Sequence, residues 1–325
     1  MRVLFATYPM AFQTPGGGEM QLLAYERHLP EHGVEVMRFD MWSPQFSSCD
    51  LVHFFSCIGG SSHFCGYVKQ LGLPLVVTSS LWITEATKSN FPVGEITHQL
   101  GLADCVVTNS RRESQTLSEV LGIDRRRFSE VANAVEEQFF MPAESGAFRR
   151  AYDLQRPFVL CVANIEPRKN QLALLEAMRA YPALDLVLLG HIRDEDYWLR
   201  VKAEGGTQLR YLGAIEPNSA LLSSAYADCA VFVLPSLFET PGLAALEAAA
   251  QRAPVVITAE GPTREYFGVH ADYVDPFSVP SIREGIQNAL QRGRTSPFRP
   301  PRWRDATADL ARIYRNLVSA DDRTL

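Results

Sequence analysis

Nowhere in the 325 residues does an uninterrupted apolar run approach the ~18 residues that a membrane helix needs. Residues 1–6, Met-Arg-Val-Leu-Phe-Ala, hold too short an apolar run for a secretory leader and read as a buried strand, so a cytoplasmic location is expected. The six cysteines (49, 57, 65, 105, 161 and 229) include no pair at two-residue spacing, which disfavours a zinc site. Three of them (105, 161 and 229) lie in or beside apolar runs, and reduced, buried thiols are expected. Lysine is scarce: four, at 69, 88, 169 and 202, stand against 27 arginines. A basic field is missing as well, because the net charge is −6 and its whole deficit lies in residues 1–147, with 10 basic and 16 acidic side chains against 21 and 21 afterwards. This disfavours nucleic acid as a partner and allows at most loose membrane association. An anion site would be local, and is expected in the second half.

What is present suits a folded enzyme. With 46% hydrophobic and 21% charged residues the chain is neither disordered nor fibrous, and its length predicts two domains. Short apolar runs alternate with segments of helical length, the pattern of parallel βα units. The runs in the first half fall at 3–6, 34–37, 51–55, 75–78 and 105–108. The pattern restarts at 158–162 and continues at 184–189, 209–212, 230–234 and 255–258. Near-continuous Val, Leu and Phe predict strands covered on both faces. The fold class is therefore α/β, with two Rossmann-like doubly wound parallel-sheet domains facing a cleft, 1–147 and 148–325, joined through a polar linker within 137–156. A breaker at 297–301 precedes a final helix over 303–318, which could pack back on the first domain.

Two stretches of the second half carry chemistry. In Pro235-Ser236-Leu237-Phe238-Glu239-Thr240-Pro241-Gly242-Leu243, a buried strand ends at Pro235 and a carboxylate follows in a short loop. Thr240 is expected as the N-cap of a helix, with Pro241 at its first position. Gly242 would let a ligand approach the backbone at this positive helix end. Glu247 would lie two turns into the helix. Amides for an anionic centre and carboxylates for hydroxyl-rich rings suit a diphosphate-linked sugar, although Glu239 could simply offset the helix dipole and Glu247 be a solvated helix residue. The second stretch, Val162-Ala163-Asn164-Ile165-Glu166-Pro167-Arg168-Lys169-Asn170, concentrates positive charge where a strand turns into a helix. Asn170 or Glu166 could cap that helix, and Arg168 alone would also fit a solvated turn.

The Pro-Ser-x-x-Glu segment, followed by Gly-Leu and a second Glu eight residues after the first, resembles the signature of the retaining glycosyltransferases of family 4, which have the GT-B fold. The resemblance implies that Glu239 faces the donor sugar, Glu247 holds the ribose hydroxyls, and Gly242 and Leu243 lie near the diphosphate. Lys169 would neutralise that diphosphate as it leaves, with Arg168 beside it. Thr240-Pro241 stands where the family has Gly-Phe, and Ala163-Asn164 where many relatives have an Arg. Leu212-Gly213-Ala214-Ile215 resembles the turn that reads the nucleobase, which places Gly213 and Ile215 with Asn164, Thr240 and Pro241 on the donor side.

In the first half, Thr14-Pro15-Gly16-Gly17-Gly18-Glu19 follows the first strand. A glycine triplet is compatible with a flexible loop, but here it resembles the family's acceptor-side loop, with Gly16 and Glu19 towards the acceptor and Gly17 and Gly18 also towards the donor phosphate. The family commonly has a His after the fourth strand, where this chain has Ser79-Ser80; Ser80 is assigned to the acceptor side. His53 fits a structural histidine better than a replacement. Asp194-Glu195-Asp196 has the form of a metal motif from a different glycosyltransferase fold, but acids at a helix start explain it.

The resulting expectation is a retaining, metal-independent transferase that moves a hexosyl group from a UDP-, GDP- or dTDP-sugar to a carbohydrate or small-molecule acceptor, with no cofactor. A nucleotide-sugar epimerase or hydrolase, and a non-catalytic nucleotide-sugar-binding relative, are the alternatives.

Overall fold

The computed structural model describes residues 1–58, 60–294 and 298–321. Pro297, the first residue of the expected breaker, lies outside them. The chain forms two compact units, one of residues 1–133 with the final helix from Trp303, the other Ala134–Arg302. The first unit thus ends ahead of the expected boundary at 147. The segment from Ala134 onwards packs with the second sheet: Val135, Phe139 and Phe148 belong to that sheet's buried core.

The first sheet contains β1 (Arg2–Thr7), β2 (Glu35–Arg38), β3 (Leu51–Phe55), β4 (Leu75–Thr78), β5 (Cys105–Thr108) and β6 (Phe128–Glu130). Its order is β2-β1-β3-β4-β5-β6, with every pair parallel. The second sheet contains β7 (Phe158–Val162), β8 (Asp185–Leu189), β9 (Leu209–Tyr211), β10 (Val231–Leu234), β11 (Val255–Thr258) and β12 (Ala271–Val274). Its order is β12-β11-β10-β7-β8-β9, again all parallel. Central strands such as β3, β8 and β10 are buried along their whole length, as helices on both faces require. The two strands that the apolar runs do not announce, β6 and β12, are edge strands carrying Ser, Glu or Asp.

The topology of the second sheet selects one place for a ligand. From β7 the chain runs outwards through β8 and β9, then returns to add β10 on the opposite side of β7. Loops leaving β7 and β10 therefore diverge to opposite sides and leave a crevice at the carboxyl ends of these two strands. Both charged motifs lie on those loops.

The final helix, Trp303–Asp321, packs within the first unit, and its Tyr314 is fully buried. The Tyr314 hydroxyl is hydrogen-bonded to Nδ1 of His53, whose Nε2 lies 2.7 Å from Thr78 Oγ1. Burial pushes the His53 pKa down to about 3, so this imidazole is a neutral, satisfied core group. All six cysteines are buried free thiols, and burial raises Cys65, Cys161 and Cys229 to about 12, which makes them inert near neutrality. No helix among the described residues is long and apolar enough to cross a membrane.

Candidate functional site

After β7 the chain makes one short turn, Pro167–Lys169, before the helix Gln171–Met178. After β10 it enters the loop that carries Glu239. Lys169 Nζ donates to Glu239 Oε1 at 2.5 Å, and Ser236 Oγ donates to the same oxygen at 2.6 Å. Both side chains of the ion pair are largely removed from solvent, Lys169 with 12% and Glu239 with 6% exposed. Burial alone would raise the Glu239 pKa, but the charges of Lys169 and Arg168 outweigh it and hold the carboxyl below its usual value. Burial dominates at Lys169, whose pKa lies below the normal lysine value despite Glu239.

Arg168 is shared between carboxylates. Its Nη2 donates to Glu166 Oε1 at 2.9 Å, its Nη1 lies 4.0 Å from Glu239 Oε1, and its guanidinium carbon is 5.3 Å from the centre of the Phe238 ring. Arg193, from the loop after β8, reaches Glu166 Oε2 at 3.2 Å. Three cations thus gather around two carboxylates, a local surplus of positive charge at the crevice. The sequence motifs do not point to Arg193, because it joins the cluster only through the pairing of β7 with β8. Asn170 is not a side-chain cap: its Nδ2 donates to Pro235 O at 3.0 Å and Pro276 O at 2.8 Å, tying the Lys169 turn to the Glu239 loop.

The helix beyond Glu239 begins later than expected. It spans Leu243–Ala250 with Gly242 at its N-cap, so Thr240 is not the cap and Pro241 is not the first helical residue; the peptide between them is cis. Gly242 has φ +93°, a left-handed conformation that prevents the helical run from starting earlier. Glu247 therefore lies about one turn in. Gly242 also packs closely: a Cβ there would sit 3.0 Å from Leu234 Cδ2 and 3.6 Å from Glu239 Cδ. On the other side of the loop, a Cβ on Gly261 would fall 2.1 Å from the Glu239 carbonyl oxygen. The Glu239 backbone is held there by its N–H bond to Glu260 O at 3.2 Å. Leu243 and Ala244 occupy the first turn, whose N–H groups a helix cannot satisfy internally.

Glu247 is half-buried rather than solvated, and Tyr226 donates its hydroxyl proton to Glu247 Oε2 at 2.7 Å. Burial pushes the Glu247 carboxyl up to about 7. Asn164, at the end of β7, accepts the His191 N–H on Oδ1 at 3.3 Å. Gly190 donates to Gly213 O at 2.9 Å, so the turns after β7, β8 and β9 are stitched together beside the charged cluster. Ile215 packs against the core. Asp194 caps the helix Glu195–Gly205 by accepting the Tyr197 N–H at 2.8 Å.

In the first unit the helix Gly17–His28 opens on Gly16. Glu19 Oε2 accepts the Gly16 N–H at 2.7 Å and Oε1 accepts the Tyr8 hydroxyl at 3.0 Å, two bonds that order the loop. A Cβ on Gly18 would meet open space. Ser80 has φ +43° and donates to Gln21 Oε1 at 3.1 Å. Buried Gln21 donates in turn to Asn109 Oδ1 at 2.7 Å. Beneath this network, Glu113, fully buried, accepts Ser79 Oγ at 2.7 Å, Leu81 N–H at 3.0 Å and Asn109 N–H at 2.9 Å. Neither Gln21 nor Glu113 stands out in the sequence.

Residues 146–297, most of the second unit, match the model of the family described as glycosyl transferases group 1. The two parallel-sheet units are those of the GT-B fold. Among curated proteins, the serotype-specific mannosyltransferase WbdA of Escherichia coli is 30% identical over 202 residues, 58% of this chain and 24% of its own length. Sucrose-phosphate synthase from Thermosynechococcus elongatus has a similar structure, with a TM-score of 0.73 and 18% identity over 98% of this chain and 94% of that one. The Anabaena protein HepE, solved in complex with UDP-glucose, gives a TM-score of 0.71 and 15% identity over 100% of this chain and 99% of that one. The matches cover between 24% and 49% of the length of the curated relatives.

Proposed function

We propose that this protein is a glycosyltransferase that moves a hexosyl group from a nucleoside-diphosphate sugar to an acceptor hydroxyl and retains the anomeric configuration. The observation that carries this reading is the Lys169–Glu239 pair, buried at the topological switch point between β7 and β10 and next to the start of the helix Leu243–Ala250. In the transfer, the bond from sugar C1 to the diphosphate oxygen breaks, a bond from C1 to the acceptor oxygen forms on the same face, and the acceptor hydroxyl's proton passes to the departing diphosphate. Negative charge then grows on the departing diphosphate. Lys169 has three N–H donors, so it can hold Glu239 and still donate to that oxygen, with Arg168 adding to the field. Glu239, the first-turn amides and Glu247 would hold the sugar, the diphosphate and the ribose respectively. The loop from Gly16 to Glu19 and Ser80 would serve the acceptor, a carbohydrate or another small hydroxyl compound.

Similarity supports the donor class: the family is one of glycosyl transferases, WbdA is a mannosyltransferase, and HepE was crystallised with UDP-glucose. The donor nucleotide proposed here is UDP, GDP or dTDP. A second reading, a nucleotide-sugar-binding relative without transferase activity, draws on Ser80 where the resemblance calls for a His and on the altered Thr240-Pro241 loop. Incubation with UDP-, GDP- and dTDP-hexoses and a panel of acceptors separates the two. Release of nucleoside diphosphate with a product whose anomeric proton coupling matches the donor supports transfer with retention. Donor binding with no product from any acceptor supports the second reading.

A further inference from the structure

The geometry points to Tyr226 as the positioning residue for Glu247: its hydroxyl anchors one carboxylate oxygen, so that the other is presented to a vicinal diol of the ligand. This inference rests on the proposed nucleotide-sugar site and adds a residue that neither charged motif contains.

Tyr226 lies on the helix Ala220–Asp228 and is fully buried. Its ring meets Phe139 and Phe232 edge-on, each with centroids 5.8 Å away, which leaves the ring little freedom to swing. Burial, followed by the neighbouring charge of Glu247, raises the phenol pKa well above normal, so the group stays a hydrogen-bond donor through neutral pH. The donated bond goes to Glu247 Oε2 at 2.7 Å, whereas Oε1 has no hydrogen bond among the described residues. A carboxylate fixed at one oxygen keeps the lone pairs of the other in a set direction, which suits two adjacent hydroxyls.

The same bond sets how readily Glu247 ionises. Burial is the main influence and raises its pKa; the Tyr226 bond holds it down, and Glu136, ahead of the turn Glu137–Phe140, pushes it up. Tyr226 itself faces Cys229 and Cys161, both neutral near pH 7. Removing the phenol hydroxyl therefore leaves burial and Glu136 unopposed. Ionised Glu247, the better acceptor for hydroxyl protons, would then form only at higher pH.

Calorimetry with UDP and GDP, which carry a vicinal 2′,3′-diol, and with dTDP, which lacks the 2′-hydroxyl, identifies the nucleotide that binds the native protein; a bound ribonucleotide is then compared with its 2′,3′-dideoxy form, and binding of dTDP alone overturns the inference. Tyr226→Phe is expected to weaken the ribonucleotide about tenfold at pH 7, the loss of one hydrogen bond to a charged group, and to leave the dideoxy form unchanged. The acid limb of ribonucleotide binding is expected to move to higher pH; comparison with wild type removes the nucleotide's own phosphate titration. Equal weakening of both ligands, or an unmoved acid limb, overturns the inference and assigns Tyr226 to packing alone. If Tyr226→Phe does not fold, 3,5-difluorotyrosine at position 226, an isosteric and stronger donor, is expected to move the limb to lower pH, and no movement overturns the inference. A native protein that binds none of the three nucleotides overturns the underlying functional reading and this inference with it.

Discussion

Lys169 Nζ and Glu239 Oε1 stand 2.5 Å apart although 70 residues separate them in the chain. Pairing of β7 with β10 brings their loops to one crevice, and burial of both side chains makes each depend on the other. The buried charge, not the attraction by itself, sets the consequence of breaking the pair.

Lys169→Met is expected to cost about 3 kcal/mol of stability, because Glu239 is left buried with only the more distant Arg168 to offset its charge. Adding Glu239→Gln in the same chain should recover most of that loss, as the pair is then replaced by neutral groups. Transfer should stay depressed, by about a hundredfold or more, in both proteins. Urea unfolding and turnover measured side by side check this, and recovery of turnover together with stability would contradict the proposed role of Lys169.

The acid side follows from the same contact. Glu239 has its pKa lowered in the folded protein, so its contribution is present above the unfolded value near 4.5 and is lost as pH falls through the folded value. Glu247 has the opposite sign: with a folded value of about 7, its contribution is complete below 4.5 and disappears as pH rises to 7. Relative to its difference from wild type at pH 4, Glu247→Gln should therefore gain about 1 to 2 kcal/mol at pH 8 in the ligand-free protein, a figure reduced for partial solvent screening. Denaturation curves at the two pH values give the comparison. At either pH the substitution should weaken nucleoside-diphosphate binding.

Gly261→Ala places a Cβ against the Glu239 carbonyl at a backbone φ of +108°. The loop must move, at a cost of more than about 1 kcal/mol, and Glu239 moves with it. Turnover is expected to fall further than the melting temperature alone would explain. Unchanged turnover per folded molecule would show that the Glu239 backbone position is unimportant.

In the first unit, Glu113→Ala leaves the N–H groups of Leu81 and Asn109 without their acceptor and frees Ser79 Oγ. A loss of about 2 to 4 kcal/mol is expected. Nucleoside-diphosphate affinity, a property of the second unit in the proposed scheme, should be unaltered where the protein is folded. Thermal unfolding and calorimetry on the same sample read both quantities.

Ten of the twelve strands are legible as apolar runs: eight are central strands, covered on both faces and therefore apolar along their length, and the edge strands β2 and β9 still contain short apolar stretches around Val36 and Leu209. β6 and β12 are not, since an edge strand can carry Ser129, Glu130 or Asp272 without burying an unpaired charge. Lys169, Arg168 and Glu239 stand out because such residues gather in turns that follow apolar strands. Arg193, Tyr226, Gln21 and Glu113 do not, because each acts through a partner on a distant segment, and strand order alone decides which segments meet. The helix start shows the same division. Local residue types suggested Thr240 and Pro241 as its cap and first residue, but the helix begins at Leu243 because Gly242, packed beside Leu234, Ile257 and Glu239, adopts a left-handed conformation. The amino-acid sequence by itself thus determined two restarted runs of βα units and the charges at their turns. Only the tertiary structure decided which charges are paired, buried and aimed, because pairing and desolvation are properties of neighbours in space.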